Sequence, residues 1–194
     1  MILAFDTSGP HCAAALQDGD RLFTRVEPMK TGQADRLMPL LEELLAKAGA
    51  SWGDLSRIGV GIGPGNFTGI RIAVSAARGL ALALKVPAVG VDAFEAIETT
   101  ADRLGVPAVP APRGQAYLRD PRTRVPYLAS TDELSDLMQD GPLLTPDPDS
   151  IAIGIARVAA AKAPGPRPAP LYVKPADAAP ASDPPPVILD ADDA

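Results

Sequence analysis

An α/β fold, built on a mixed five-stranded sheet with helices packed against it, is predicted by three features of residues 1–104. The chain opens with three strand-like runs joined by turn formers, and the Asp-Gly of Gln17-Asp18-Gly19-Asp20 is a hairpin signal between the second and third. Helix-like and strand-like segments then alternate. A strand, helix, strand succession favours parallel pairing whereas a hairpin is antiparallel, so one sheet holding both must be mixed.

Residues 2–6 form a short apolar run ending in Asp6, and Thr7-Ser8-Gly9-Pro10 after it is dense in turn formers. Residues 12–16 and 21–26 are the hairpin strands. From Gln33 to Ala48, Leu37, Leu40, Leu41, Leu44, Leu45 and Ala48 recur at helical spacing, with Gly49 as the stop. With Met38 the stripe spans about 160°, wider than the roughly 100° that one core requires, which predicts two apolar neighbours for this helix. Residues 57–62 read as a strand, residues 63–69 as a loop and residues 70–84 as a helix that is apolar or small nearly all round. Its polar residues Arg71, Ser75 and Arg78 share one narrow stripe, while Gly69, Ala73, Ala76, Ala77 and Gly79 permit another backbone to come close. Residues 88–91 are the fifth strand, and Asp92 with Glu95 is a capping box opening a helix towards Leu104.

Beyond Gly105 the pattern weakens into a smaller lobe, residues 105–162. Strands are expected at residues 106–111 and 115–118, a helix capped by Ser130 with Glu133 runs to about Gln139, and another starts at Asp149 or Ser150 and ends near Lys162. Residues 163–194 are a Pro/Ala-rich tail whose composition buries too little surface to offset its ordering entropy. Leu171-Tyr172-Val173-Lys174 interrupts it as a docking segment.

Composition narrows the function classes. Of 194 residues 46% are apolar, enough for a core, but only 4% are aromatic and the net charge is −6. Aromatic stacking platforms and a basic surface, the usual means of reading RNA directly, are both scarce. With Cys12 the sole cysteine, no disulfide can close within the chain, and a cytoplasmic location is expected. The opening residues lack the charged start and long apolar stretch of a signal peptide, and no window has about 18 uninterrupted apolar residues. No membrane association is expected.

The start MILAFDTS, the segment VGIGPGNFTGIRIAVSAARGLALAL and the following PAVGVDAFEAI together resemble the TsaB (YeaZ) family, in order and spacing over residues 1–98. Weaker echoes follow at Ala111-Pro112-Arg113-Gly114-Gln115-Ala116-Tyr117 and Pro170-Leu171-Tyr172-Val173-Lys174-Pro175-Ala176-Asp177. The resemblance implies an actin, sugar-kinase and chaperone-ATPase type of fold with ribonuclease H-like lobes and a degenerate nucleotide site. It also implies a non-catalytic subunit that dimerises with the catalytic paralogue TsaD and acts with the ATPase TsaE. The product would be threonylcarbamoylated adenosine in tRNAs reading codons that begin with A. The chain departs from the family pattern in Pro110, where an Asp is frequent, and in its shortened second lobe.

The resemblance places a phosphate-binding turn at Asp6, Thr7 and Ser8, yet the same residues hydrogen-bond a tight turn on their own. No second carboxylate cluster or adenosine-binding Gly-Gly loop follows downstream, so the turn is favoured and no catalytic residue is assigned. Gly63, Gly65, Asn66 and Thr68 precede a helix N-terminus that suits an anion, but the Gly-Lys-Ser/Thr ending of a P-loop is missing. Asn66 or Thr68 as a helix cap is the favoured role, Phe67 is expected to plug the lobe interface, and no cofactor beyond weakly held nucleotide is expected. Trp52 reads as an anchor filling a local gap, and Arg113 and Tyr117 as ordinary strand residues or cleft residues. His11 is the only histidine, and strand alternation points it away from Cys12, so no metal site is assigned. One histidine also rules out the paired-histidine metal site of the catalytic paralogue, and no nucleophile elbow supports a Ser-His-Asp triad.

Partner binding is assigned to Met38, Leu41 and Leu45 of the first wide helix and to Arg71, Ile72, Ser75, Ala76 and Gly79 of the second. The same helices could join two copies of the chain when the partner is absent, as a homodimeric anion-binding module. A small-molecule phosphotransferase or nucleotide hydrolase of the same superfamily is the enzyme alternative; it needs a catalytic Asp and a full second lobe.

Overall fold

The opening hairpin forms where its Asp-Gly signal lies, with Gly19 at φ 58° in the turn. In the computed structural model, which describes residues 1–173, β1 (Ile2–Asp6) pairs antiparallel with β2 (His11–Asp18), and β2 with β3 (Arg21–Pro28). β4 (Arg57–Gly61) lies parallel to β1, and β5 (Ala88–Val91) parallel to β4, giving the order β3-β2-β1-β4-β5. The sheet is mixed and five-stranded, as the sequence predicts.

Both faces of this sheet are covered, so its central strands are apolar on both sides. Leu3 and Phe5 point to the face packed by α1 (Gln33–Ala48) and α2 (Phe67–Leu84); Ala4, Ala13 and Ala15 point to the other, packed by α3 (Ala93–Thr100) and α5 (Pro148–Ala161). The wide stripe of α1 has its two neighbours inside the lobe, because α1 lies against β2 and β3 on one side and α2 on the other. The alanine-rich second face lets α5 approach closely. A Cβ on Gly59 would stand 2.9 Å from Ala159 Cβ, and one on Gly154 would stand 2.3 Å from the Ala96 carbonyl oxygen. Arg57 caps this helix, its Nη1 donating to the carbonyls of Ala159 at 2.5 Å and Lys162 at 2.8 Å.

The second lobe is small. β6 (Val106–Pro107) pairs parallel with β10 (Leu143–Leu144), and β7 (Val109–Pro110), β8 (Ala116–Arg119) and β9 (Pro126–Ala129) form an antiparallel sheet under α4 (Thr131–Asp140). Ala108, Ala116, Leu118, Ala129 and Leu134 are its core. Arg119 of β8, nearly buried, reaches across to Asp92 at the start of α3 and lies over the Phe94 ring, tying this lobe to the first.

Several expectations are corrected. α2 begins at Phe67, three residues before the expected Ile70, because Asn66 and not Thr68 caps it: Asn66 Oδ1 accepts from Gly69 N–H at 2.8 Å. α3 ends at Thr100, and Leu104 beyond it is 94% exposed. The strand β9 carries no periodic signal and was not expected. α5 lies within the 105–162 segment yet packs on the first lobe's sheet, since its Ile151, Ile155 and Ala159 find their apolar surface there. By length and composition α2 would reach across a bilayer, but it carries Arg71 and Arg78 and buries Ile70, Ala73, Val74 and Ala77 against its own lobe. In the tail, Leu171, Tyr172 and Val173 are described; Lys174, the echo Pro175-Ala176-Asp177 and the apolar Val187-Ile188-Leu189 lie outside the described residues.

Candidate functional site

The turn after β1 and the loop before α2 are held together by close backbone approach. A Cβ on Gly69 would sit 1.9 Å from the Thr7 carbonyl oxygen, one on Gly65 2.6 Å from the Ser8 carbonyl oxygen, and one on Gly61 2.1 Å from Asp6 Oδ1. Gly63 has φ 99° and Gly65 φ 157°, conformations that side chains rarely adopt. Asn66 N–H donates to the Ser8 carbonyl at 2.7 Å, and the buried Thr7 hydroxyl donates to the Gly69 carbonyl at 2.6 Å. Asp6, Thr7, Ser8, Gly63, Gly65 and Asn66 are thus brought to one place, while Thr68 lies exposed on the first turn of α2.

Asp6 is occupied within its own turn. Its Oδ2 accepts from Ser8 N–H at 2.9 Å and Ser8 Oγ at 2.9 Å, and lies 3.0 Å from His11 Nε2. Only 2% of the residue is exposed, so these local partners replace water. Cys12, next along β2, faces the core; burial pushes its thiol up to about 12, and Cys12 is inert as a nucleophile. Among the described residues, no three His, Cys, Asp or Glu side chains gather as a metal-ligand set.

Between the lobes lies a cavity of about 790 Å³. Its floor is the Asp6–His11 turn, its far wall is the second lobe at Val109, Pro110 and Tyr117, and its near side is Phe67 with Leu171 and Tyr172. Lys30 is the cation on its rim. Pro110, in β7, therefore lines the cleft where an acidic residue would change its charge. Tyr117 is a cleft residue; Arg113, at φ 62° in a tight turn, is exposed beside the strand.

Phe67, expected as a plug of the lobe interface, and Tyr172 of the expected docking segment meet in a cluster with Arg71 that the sequence does not show as one. The Phe67 ring stacks on Tyr172 with centroids 4.6 Å apart, the Arg71 guanidinium sits 3.9 Å from the Phe67 centroid, and Arg71 Nε donates to the Tyr172 hydroxyl at 2.8 Å. The sole signal was an aromatic inside an apolar run in an otherwise Pro-rich tail.

The outer face of α2 is open. Arg71, Ser75 and Gly79 are exposed along one stripe, Ile72 and Ala76 are half-buried beside it, and Leu82 extends it with 78% of its surface in solvent. A Cβ on Gly79 would meet nothing within 4 Å. On α1, Met38 is 37% exposed, but Leu41 and Leu45 are corrected: both are buried in the lobe's own core and offer a partner no surface. Helical spacing sets the width of an apolar stripe without telling which part meets the sheet.

Residues 27–137 match the family model described as TsaD, tRNA N6-adenosine threonylcarbamoyltransferase. The chain is similar to the tRNA threonylcarbamoyladenosine biosynthesis protein TsaB of Escherichia coli (strain K12), 36% identical over 90 residues, 46% of this chain and 39% of that protein. It is 36% identical over 120 residues to the TsaB of Bacillus subtilis (strain 168), 60% of this chain and 52% of that one. The matches therefore span about half or less of these curated relatives' length. Among solved structures, YeaZ from Pseudomonas aeruginosa superimposes with a TM-score of 0.68 at 25% identity, covering 88% of this chain and 98% of that one. A protein described as uncharacterized with similarity to peptidase YEAZ, also from Pseudomonas aeruginosa, does so with 0.71 at 22%, covering 89% and 99%, a likeness of fold alone.

Proposed function

The chain belongs to the TsaD-type tRNA N6-adenosine threonylcarbamoyltransferase family and is of the TsaB (YeaZ) kind within it, and from that premise we propose that it serves the making of threonylcarbamoyladenosine in tRNA as a non-catalytic pairing subunit. The fold is accordingly of the actin, sugar-kinase and chaperone-ATPase type with a shortened second lobe. The partner is the catalytic paralogue TsaD, the assembled complex includes the ATPase TsaE, and tRNA is met through the complex. The setting is the cytoplasm.

One observation carries this reading: the outer face of α2, where small residues, the open Gly79 and the exposed Leu82 leave apolar helix surface uncovered. Such a face suits close helix-to-helix contact with another subunit. The engagement of Asp6 by Ser8 and His11 supports a structural turn in place of a catalytic one. The charge of −6 and the few aromatics support indirect contact with tRNA. Size-exclusion chromatography with the catalytic paralogue tests the pairing. The unchanged chain should co-elute with it, and Gly79→Arg, which has room for its side chain, should elute alone while keeping its circular dichroism. Co-elution of the variant would place the interface elsewhere.

The cavity of about 790 Å³, with Asp6 and Ser8 at its floor and Lys30 on its rim, favours the second reading of a small-molecule phosphotransferase or nucleotide hydrolase. Calorimetric titration with ATP and magnesium separates the two. Weak or no heat supports the pairing subunit, whereas micromolar binding with turnover supports the enzyme.

A further inference from the structure

We propose that residues 168–173 are a latch that closes the interlobe cavity and is fastened from the exposed stripe of α2. The segment leaves the end of α5 on one face of the sheet and reaches the start of α2 on the other, passing the β5 edge. Pro168 is buried there, and a Cβ on Gly90 of β5 would stand 3.5 Å from Pro168 Cβ. Leu171 N–H then donates to the Ile62 carbonyl at 2.8 Å, and its own carbonyl lies 3.1 Å from where Gly63 would carry a Cβ. Beyond that bond, Leu171, Tyr172 and Val173 form part of the cavity wall.

The fastening is made of few groups. Tyr172, 40% exposed, is held by the Phe67 ring and by the hydrogen bond from Arg71. One aromatic stack and one exposed hydrogen bond make a weak fastening. A contact of that size holds a segment closed and still lets it open, as local unfolding does in weakly anchored regions. Arg71 stands one helical turn before Ser75 on the face proposed above for pairing, so a partner covering that face touches the fastening as well. This coupling rests on that pairing; the closure itself does not.

Amide hydrogen exchange at Leu171 in the isolated full chain reads the latch, and 8-anilinonaphthalene-1-sulfonate (ANS) reads access to the cavity. Tyr172→Ala should speed Leu171 exchange several-fold to about tenfold. It should also raise ANS fluorescence, with unchanged far-ultraviolet circular dichroism. Tyr172→Phe, which keeps the stack and loses the hydroxyl, should fall between. Equal Leu171 exchange in Tyr172→Ala and the unchanged chain overturns the latch, and unchanged ANS fluorescence overturns its closing of the cavity. Adding the catalytic paralogue should slow Leu171 exchange in the unchanged chain, and a complex that leaves it unaltered overturns the coupling. Failure to form any complex counts against the pairing, while the isolated chain still decides the latch.

Discussion

Thr7 and Gly69 meet where β1 ends and α2 begins, the Thr7 hydroxyl donating to the Gly69 carbonyl at 2.6 Å across a contact that leaves no room for a Cβ. The neighbouring atom is backbone, so it cannot rotate away. Gly69→Ala should therefore destabilise the chain by about 1–3 kcal/mol through overpacking. Thr7→Val should cost about 0.5–1.5 kcal/mol by removing this buried hydrogen bond, the Gly69 carbonyl keeping its place in the helical ladder. Urea unfolding of each variant measures both.

The two helices of the outer layer should respond oppositely to substitution. Leu45→Glu forces a carboxylate into the core and should unfold the isolated chain, since burying an unpaired charge costs several kcal/mol. Gly79→Ala adds a methyl to open space in a helix interior and should stabilise by about 0.5–1 kcal/mol. Thermal melts of both variants without any partner check the pair.

The first lobe was largely legible because its signals are local: the Asp-Gly turn, the stripe of α1 and the Asp92–Glu95 capping box each depend on nearby residues. What was hidden depends on distant ones. Leu41 and Leu45 have the spacing of an interface residue and of a core residue alike, and only the position of the sheet distinguishes them. The destination of α5 was set by an alanine-rich face, built from Ala4, Ala13 and Ala15, that no feature of α5 announces. Tyr172 finds Phe67 and Arg71 about a hundred residues away in sequence, beyond any periodic pattern.

Acid should loosen the edge of the sheet. Hydrogen bonds from Arg36 at 2.6 and 2.7 Å, with Arg25 beside them, hold the Glu27 carboxyl down from its ordinary 4.5 to about 2. Glu43, also bonded to Arg36, is lowered too. A carboxyl lowered in the folded chain contributes stability above its unfolded value, and loses it as pH falls through the folded one. Stability should thus decline between pH 4.5 and about 2, and Glu27→Gln should flatten the decline in that window. Urea midpoints at a series of pH values check this, and equal slopes in both chains would discount the pairing of Arg36 with Glu27.

The most direct measurement is reconstitution of tRNA threonylcarbamoylation from purified components: the catalytic paralogue, the ATPase subunit, an activated threonylcarbamoyl donor and unmodified tRNA, with and without this chain. Nucleosides released from the tRNA are then separated and identified by mass. The account predicts threonylcarbamoyladenosine only when the chain is present together with the others, none from the chain alone, and none when Gly79→Arg replaces it. Modification by the chain without its paralogue, or undiminished modification in its absence, would contradict a non-catalytic pairing role.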